Sequence, residues 1–168
     1  YKKSELGKVI WYAGADNDWN NVYAKHWGIN EVDRGQFNKQ KEIGYATGSS
    51  MLLRSEAIKQ TGLIDERYFM YYEENDLCQR IKQAGYKLIY APKSEVWHKV
   101  GQAAGIGSGL ADYYIARNRM LFGMRWAPLR AKLALIRESI KLLIIGRPWQ
   151  KIGIRDFYFG RFGKGSYA

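Results

Sequence analysis

The stretch from Gly62 to His98 constrains the fold most strongly, because it sets carboxylates among large apolar rings. Five acids stand between positions 65 and 76, namely Asp65, Glu66, Glu73, Glu74 and Asp76. The aromatic residues between them are Tyr68, Phe69, Tyr71 and Tyr72. This mixture indicates carboxylates at the edge of a core, where burial and neighbouring charge shift their pKa for base chemistry or metal binding. From residue types alone, a salt-bridged surface loop explains the acids equally well.

A helix is predicted directly after the acids, where apolar residues recur at helical spacing. Its apolar face consists of Leu77, Cys78, Ile81 and Ala84. We expect Glu74 or Asn75 to cap its N-terminus and Gly85 to end it in the left-handed conformation. Asp76 and Arg80 are four residues apart and are expected to form an ion pair on the helix surface.

The other predicted elements complete an α/β chain. Strands are predicted over Lys8–Ala13 and Tyr86–Ala91, the latter ended by Pro92, and Glu42–Leu53 is predicted to form a turn that leads into a strand. Helices are predicted over 56–61 (capped by Ser55 and ended by Gly62), 111–125 and 129–145. Residues 102–109 are rich in Gly, Ala and Ser and are predicted to form a flexible loop. His98 follows the strand after the acidic helix, so one helix–strand unit can bring it back near Glu74.

The charge of the chain is uneven. The first 123 residues carry seventeen Lys or Arg against fourteen acids, whereas residues 124–168 carry ten against two. A basic C-terminal segment of this kind favours an acidic surface as its partner. At 168 residues and 46% hydrophobic content, the chain suits one domain with a sizeable core. Its single cysteine excludes an internal disulfide framework, and no apolar segment of a signal peptide is expected.

Asp16-Asn17-Asp18 has the D-x-D spacing of a metal-binding motif and follows an apolar run. The same residues suit a polar turn after a strand, because Gly14 lies nearby, and we favour the turn. His26 has no acidic or histidine neighbour at metal-binding spacing, so it is interpreted as structural.

Several motifs, in order, carry a family resemblance. They are ATGSSM at 46–51, GLIDERYFMYYEENDLCQR at 62–80, AGYKLIYAP at 84–92, VWH at 96–98, YYIARNRMLF at 113–122 and GIRDFYFGRFGK at 153–164. Together they resemble the C-terminal half of the catalytic domain of family 2 glycosyltransferases. These are inverting enzymes of the GT-A type, and the bacterial rhamnosyltransferase and galactofuranosyltransferase-like enzymes are the most similar subgroup. The resemblance implies a mixed small sheet with helices, in which residues 1–123 form the acceptor-binding and catalytic half, without the nucleotide-binding half. Residues 124–168 would then form a basic amphipathic helix and tail.

The resemblance also implies roles for the acids. Glu74 stands where the family has its catalytic aspartate, the general base that takes a proton from the acceptor hydroxyl. Glu73 and Asp76 fill the other acidic positions of that motif. His98 matches a histidine that helps bind a divalent metal, Mn²⁺ or Mg²⁺, on the nucleotide diphosphate. We expect that metal only together with the nucleotide-binding half, and a structural histidine beside Trp97 is the alternative.

The predicted substrate-binding residues are Gly48, Ser49, Tyr72, Arg80 and Trp97. Gly48 and Ser49 lie where the backbone approaches something closely, which is either the floor of a substrate site or a strand bulge. Arg117 and Arg119 flank Asn118 on a predicted helix. Either arginine suits a diphosphate contact or a solvated helix face.

Residues 129–145 form an amphipathic pattern, with Arg130, Arg137 and Lys141 in a narrow arc. The segment is too short and too charged to span a bilayer, which needs about 20 apolar residues. The pattern suits an interfacial helix on anionic lipid. Packing on the domain or against a second copy of the chain is the alternative.

These observations predict part of an inverting glycosyltransferase in cell-envelope glycan synthesis. It would move a sugar from a nucleotide diphosphate donor to a lipid-linked or polysaccharide acceptor, and the isolated chain is expected to be inactive. We expect a bacterial, cytoplasmic protein that is peripheral at the inner face of the cell membrane. A non-catalytic module that binds glycan, lipid or a partner is the alternative. Nucleic-acid binding is not favoured, since no RNA- or DNA-binding motif accompanies the charge.

Overall fold

The computed structural model of the chain describes residues 8–98 and 108–167. Its strands are β1 (Ala15–Asp18), β2 (Tyr23–His26), β3 (Lys41–Glu42) and β4 (Ile89–Tyr90). Its helices are α1 (Ser55–Thr61), α2 (Glu73–Gln83), α3 (Gly109–Trp126), α4 (Leu129–Ile145) and α5 (Pro148–Tyr158). The described architecture is therefore mixed α/β, with small sheets beside a larger helical part, as predicted.

The strands form two antiparallel pairs, β1 with β2 and β3 with β4. The short segment after β3 joins them, because Ile43 N–H donates to the Leu88 carbonyl while Gly44 N–H donates to the Ala15 carbonyl. The strand predicted within Glu42–Leu53 is wrong for this reason: after β3 the backbone changes its pairing partner and then leaves the sheet. The predicted strand over Tyr86–Ala91 is likewise reduced to the two residues of β4.

The first predicted strand lies in the wrong place. Within Lys8–Ala13 only Val9 makes a bridge, to Val32, and pairing starts after Gly14, whose φ of +104° turns the chain. The predicted turn over residues 16–18 is therefore part of β1 instead. Asp18 opens the turn that follows, since its Oδ1 accepts hydrogen bonds from the N–H groups of the next two asparagines at 2.9 and 3.1 Å.

Helix α2 packs its predicted apolar face on the strands, where Leu77, Cys78 and Ile81 are buried. Its C-terminus has the predicted glycine: Gly85 has a φ of +88°, and its N–H bonds the Lys82 carbonyl. Both predicted N-caps are wrong, because the helix already begins at Glu73, with Tyr72 at the cap in the left-handed conformation. The acids consequently lie within the first turn, where the helix dipole favours negative charge.

Helices α3, α4 and α5 form the helical part around a second core. Its buried residues are Val22, Tyr68, Ala116, Met120, Phe122, Ala127, Ala131, Leu135 and Ile154. No helix is predicted after residue 145, yet α5 begins at Pro148, in the first-turn position that proline favours. A side chain on Gly153 would collide with the Tyr113 carbonyl, so α5 lies directly against α3. The predicted domain boundary after residue 123 falls inside α3.

The segment after α5 runs back across α3. Ser166 N–H donates to Asp156 Oδ2 at 2.9 Å and to the Tyr113 hydroxyl at 3.0 Å. Three residues before Ser166, the N–H of Gly163 donates to the Arg67 carbonyl at 2.9 Å. These bonds connect the C-terminal residues, α3 and the loop that precedes α2.

The remaining helix predictions agree closely with the structure. Gly62 ends α1 as predicted, with a φ of +79°, although Arg54 and not Ser55 occupies the N-cap. The bounds of α4 are those predicted, and α3 begins two residues early, capped by Ser108. The predicted loop at 102–109 lies outside the described residues, apart from Ser108 and Gly109.

Candidate active site

The N-terminus of α2 brings the acidic motif together with the segment that contains Gly48. The Tyr45 hydroxyl donates a hydrogen bond to Glu74 Oε1 at 2.9 Å. Gly48 lies beside the same carboxylate, since a Cβ placed on Gly48 would be 3.8 Å from that oxygen. Glu74 and Gly48, which are 26 positions apart in sequence, are therefore neighbours in the fold.

Buried polar atoms without a hydrogen-bond partner in the protein concentrate at this helix end. Six such side-chain atoms occur among the described residues, and five of them belong to Asn17, His26, Glu73, Glu74 and Asn75. Asn75 Nδ2 donates to Asn17 Oδ1 at 2.8 Å, which leaves one amide donor and one amide acceptor of this pair unused. Buried polar groups are nearly always paired, so this concentration indicates a site for a polar ligand.

The protonation of Glu73 depends on its surroundings. Burial, followed by the charge of Glu74, raises the pKa of Glu73 to about 7. A carboxylate beside another negative charge binds its proton more tightly, because two neighbouring negative charges repel each other. Glu73 can therefore accept or deliver a proton near neutral pH, directly beside Glu74 in the sequence.

The raised pKa of Glu73 predicts a pH-dependent stability. The folded chain holds the Glu73 proton more tightly than the unfolded chain, so stability is lost as the pH rises from about 4.5 towards 7. Glutamine mimics the protonated acid, and we expect Glu73→Gln to be more stable than the wild type by about 2 kcal/mol at pH 8. Urea unfolding at pH 4.5 and at pH 8 measures this difference. An advantage that is equal at both pH values would contradict the shifted pKa.

Aromatic rings connect the carboxylates to the predicted metal-binding histidine. His26 stacks on Tyr45 with ring centroids 5.8 Å apart. Trp11 contacts His26 at 5.4 Å and His98 at 4.4 Å, in both cases edge to face. His98 is thus linked to Glu74 indirectly, through the rings of Trp11, His26 and Tyr45, and its expected position near that carboxylate stays a prediction. Burial lowers the pKa of His26, so its ring is neutral near pH 7 in the wall of this site.

Asp76 accepts several hydrogen bonds in the interior of the chain. Its predicted ion pair with Arg80 does form, but the carboxylate is buried, so the predicted surface location is wrong. The residue is fully buried. Its Oδ2 accepts from Arg80 Nε at 2.8 Å, as the spacing predicts, while its Oδ1 accepts from Arg125 at 3.0 Å and from the Trp126 indole at 2.7 Å. Asp76 therefore ties α2 to the end of α3, and its carboxylate is enclosed by protein.

The other predicted substrate-binding residues lie in different surroundings. Arg80 also donates to the carbonyls of Thr61 and Leu63, at 2.6 and 2.8 Å, so its guanidinium holds the loop after α1. The Tyr72 hydroxyl donates to the Val22 carbonyl at 2.8 Å. Ser49 and Trp97 are exposed. Of the five predicted substrate-binding residues, only Gly48 has a described contact with Glu74. The substrate-binding roles stay predictions.

The loop before α2 has an unusual backbone. Phe69, Tyr71 and Tyr72 all have positive φ, between 61° and 70°. Each such residue costs on the order of 1 kcal/mol or more, so the surrounding structure has to hold the loop in place. Because Tyr72 is the N-cap of α2, the shape of this loop sets the position of Glu73 and Glu74.

Two buried residues of α3 hold this loop. The Asn118 amide nitrogen lies 2.7–2.9 Å from the carbonyl oxygens of Tyr68, Met70 and Tyr71. Asn118 Oδ1 in turn accepts from Arg117 Nε at 2.9 Å. No sequence signal identifies Asn118 as a positioning residue, since its partners are backbone atoms nearly 50 positions away.

Arg117 supports the same loop from the other side. Its guanidinium donates to the carbonyls of Arg67 and Tyr68 at 3.2 and 2.9 Å. The side chain is fully buried, which contradicts both predicted roles, the diphosphate contact and the solvated face. Arg119 pairs instead with Glu138 on α4, at 2.7 Å.

A divalent metal does not fit the described side chains by themselves. Within residues 8–98 and 108–167, no group of three His, Cys, Asp or Glu side chains could hold a metal ion. Asp18 of the D-x-D motif uses both carboxylate oxygens in its turn. His98 contributes one imidazole beside Trp11, and its metal role stays a prediction that needs ligands from elsewhere.

Comparison with curated proteins identifies related glycosyltransferases. The N-acetylglucosaminyl-diphospho-decaprenol L-rhamnosyltransferase of Mycobacterium tuberculosis is 41% identical over 66 residues, which is 39% of this chain and 22% of that protein. Rhamnosyltransferase WbbL of Escherichia coli is 33% identical over 73 residues, or 42% of this chain and 28% of that protein. The low-salt glycan biosynthesis hexosyltransferase Agl10 of Haloferax volcanii is 35% identical over 49 residues, covering 29% and 16%. The chain thus spans about a quarter or less of the length of these relatives.

The family assignment rests on a longer match. The model of the family described as "Glycosyltransferase like family 2" matches residues 4–123, which is well over half of the chain and contains both glutamates of the site. No solved structure matches the chain significantly. The two small sheets and five helices of the described residues form a mixed α/β arrangement, which is consistent with part of a GT-A fold. The chain belongs to glycosyltransferase family 2 and is similar to its rhamnosyltransferases.

Proposed function

We propose that this chain forms the acceptor-binding and catalytic part of an inverting glycosyltransferase. The observation that carries the proposal is the paired, half-buried carboxylate site of Glu73 and Glu74. One oxygen of Glu74 is fixed by Tyr45, and its other oxygen has no hydrogen-bond partner among the residues that the structure describes. A carboxylate held in this way is ready to receive a proton from a ligand hydroxyl.

In the proposed reaction, Glu74 acts as the general base. Its Oε2 takes the proton of an acceptor hydroxyl while that oxygen attacks the anomeric carbon of the donor sugar. The bond from the anomeric carbon to the diphosphate breaks, and its electron pair leaves with the nucleotide diphosphate. Attack from the opposite face inverts the anomeric centre. Burial and the charge of Glu74 raise the pKa of the neighbouring Glu73 to about 7, so Glu73 can exchange a proton near neutral pH beside the base.

The other predicted acid has a different proposed role. Asp76 is enclosed by Arg80, Arg125 and Trp126, so we assign it the positioning of α2 rather than contact with substrate. A divalent metal, when bound, would stabilise the leaving diphosphate. His98 is the one described residue for which we retain a ligand role, together with ligands that the described residues do not supply.

The relatives support a proposal for the substrates. Two of them are named rhamnosyltransferases, and one of these names specifies an N-acetylglucosaminyl-diphospho-decaprenol acceptor. We therefore propose a nucleotide diphosphate sugar as donor, a rhamnosyl group as the transferred sugar and a lipid-linked saccharide as acceptor, in cell-envelope glycan synthesis. Reaction with a lipid-linked acceptor would take place at the inner face of the cell membrane.

The test is a transfer assay with the full-length protein. UDP-, GDP- and dTDP-sugars, including dTDP-rhamnose, are supplied with a lipid-linked N-acetylglucosamine acceptor, with and without Mn²⁺, and the anomeric configuration of the product is determined by NMR. We expect a product of inverted configuration from one donor class. Retained configuration would contradict the base role of Glu74. Glycan or lipid binding without any transfer would favour a non-catalytic module.

A further inference from the structure

We propose that α4 attaches this chain to the surface of an anionic lipid bilayer. The proposal goes beyond the transfer reaction and does not depend on it. One face of α4 is fixed by the fold, since Ala131, Leu135 and Ser139 are buried against the helical part. The side chains on the opposite face of α4 therefore point away from the helical part.

The outward face carries an apolar stripe. Leu129, Leu133, Ile140 and Ile144 are 72%, 59%, 53% and 69% exposed. Their spacing of four, seven and four residues places them along one line of the helix. A run of large apolar side chains that is exposed along a whole helix marks an interaction surface, because water is a poor partner for it.

Cations border this stripe. Arg130, Arg137 and Lys141 are exposed and, at about 100° per residue, follow one edge of the apolar line, while Lys132 lies at the other edge. Residues 124–168 hold only two acids. Both are engaged elsewhere, Glu138 by Arg119 at 2.7 and 2.9 Å and Asp156 in the interior.

The combination of stripe and cations fits an anionic bilayer better than another partner. A helix of 17 residues lying in the membrane plane can bury the stripe among acyl chains and leave its lysines and arginines among phosphate headgroups. A second copy of the chain docked on this face would bring the same cations together. Among the described helices, none is long and apolar enough to cross a membrane, so contact along the surface is the arrangement proposed.

The experiment measures binding of the 168-residue chain to vesicles by co-sedimentation. We expect binding to vesicles with 30% phosphatidylglycerol and much weaker binding to pure phosphatidylcholine. Each cation near an anionic surface strengthens partitioning about fivefold, so R130Q/R137Q/K141Q should lower it about 100-fold. The matched control, R34Q/K39Q/K59Q, removes three exposed cations outside α4 and should change binding by less than about tenfold.

A second variant tests the apolar stripe. L133Q/I140Q/I144Q keeps every charge, and since these side chains are exposed, the fold should persist by circular dichroism. We expect at least about a tenfold loss of vesicle binding. Equal losses in the α4 charge variant and its control would overturn the proposal, because they would show attraction by net charge alone. Unchanged binding of the apolar variant, or a dimer in light scattering that this variant dissociates, would also overturn it.

Discussion

Replacement of Glu74 by glutamine is expected to lower the turnover of sugar transfer by about 100-fold or more. Glutamine cannot take a proton from the acceptor hydroxyl, yet it keeps the size of the side chain and an oxygen that can accept the hydrogen bond from Tyr45. The fold should therefore be unaffected. The measurement is kcat for the full-length protein, with circular dichroism and donor binding as checks that the variant is intact.

Two further variants make this prediction specific. Glu74→Asp retains a carboxylate and supplies the residue type expected at this position of the family motif, so we expect it to keep much more activity than the glutamine variant. Glu73→Gln removes the group whose pKa is raised to about 7, so the pH dependence of kcat near pH 7 should become weaker than in the wild type. Wild-type turnover in Glu74→Gln, together with an inactive Glu73→Gln, would instead assign the base role to Glu73.

Replacement of Asn118 by leucine is expected to destabilise the chain by about 3–5 kcal/mol. Leucine has a similar volume but donates no hydrogen bond. The carbonyls of Met70 and Tyr71 would lose the buried donor that the Asn118 amide provides. The strained loop would then lack its main support, and the first turn of α2 would lose its fixed position.

Urea unfolding measures this loss, and two comparison variants define its cause. Asn118→Asp keeps the shape but points a carboxylate at carbonyl oxygens, so it should destabilise at least as much as leucine. Ile115→Gln changes an exposed residue of the same helix and should alter stability by no more than about 0.5 kcal/mol. A loss below about 1 kcal/mol in both Asn118 variants would show that the loop holds its shape without this amide.

Local sequence chemistry predicts those features that depend on near neighbours in the chain. The apolar spacing of α4 gives its bounds, and Gly62 and Gly85 end their helices as expected, because a positive φ is cheap only for glycine. Pro148 at the start of α5 is a signal of the same kind, because proline is favoured in the first turn of a helix. The strands were predicted poorly, since each pairs over only two to four residues with partners that the local pattern does not specify.

The residues of the candidate site show the same contrast between local and long-range information. The acidic motif itself points to Glu73 and Glu74, and the ordered resemblance identifies the family, because both are properties of contiguous residues. Asn17, His26 and Tyr45 reach the same site only through the β1–β2 hairpin and its bridge to Tyr45. Their contribution cannot be read from their neighbours in sequence.

The sequence by itself determined the family and four of the five described helices, and it pointed to the acidic motif that contains Glu73 and Glu74. The tertiary structure alone decided which charged groups are enclosed and which are available. Asp76 and Arg117 look like surface or ligand-binding residues in the sequence, yet both are fully buried and hold the backbone around the site. The physical reason is that burial and hydrogen-bond partners arise from residues brought together over 40 or more positions, such as Arg117 with the Tyr68 carbonyl. Local periodicity carries no information about such contacts.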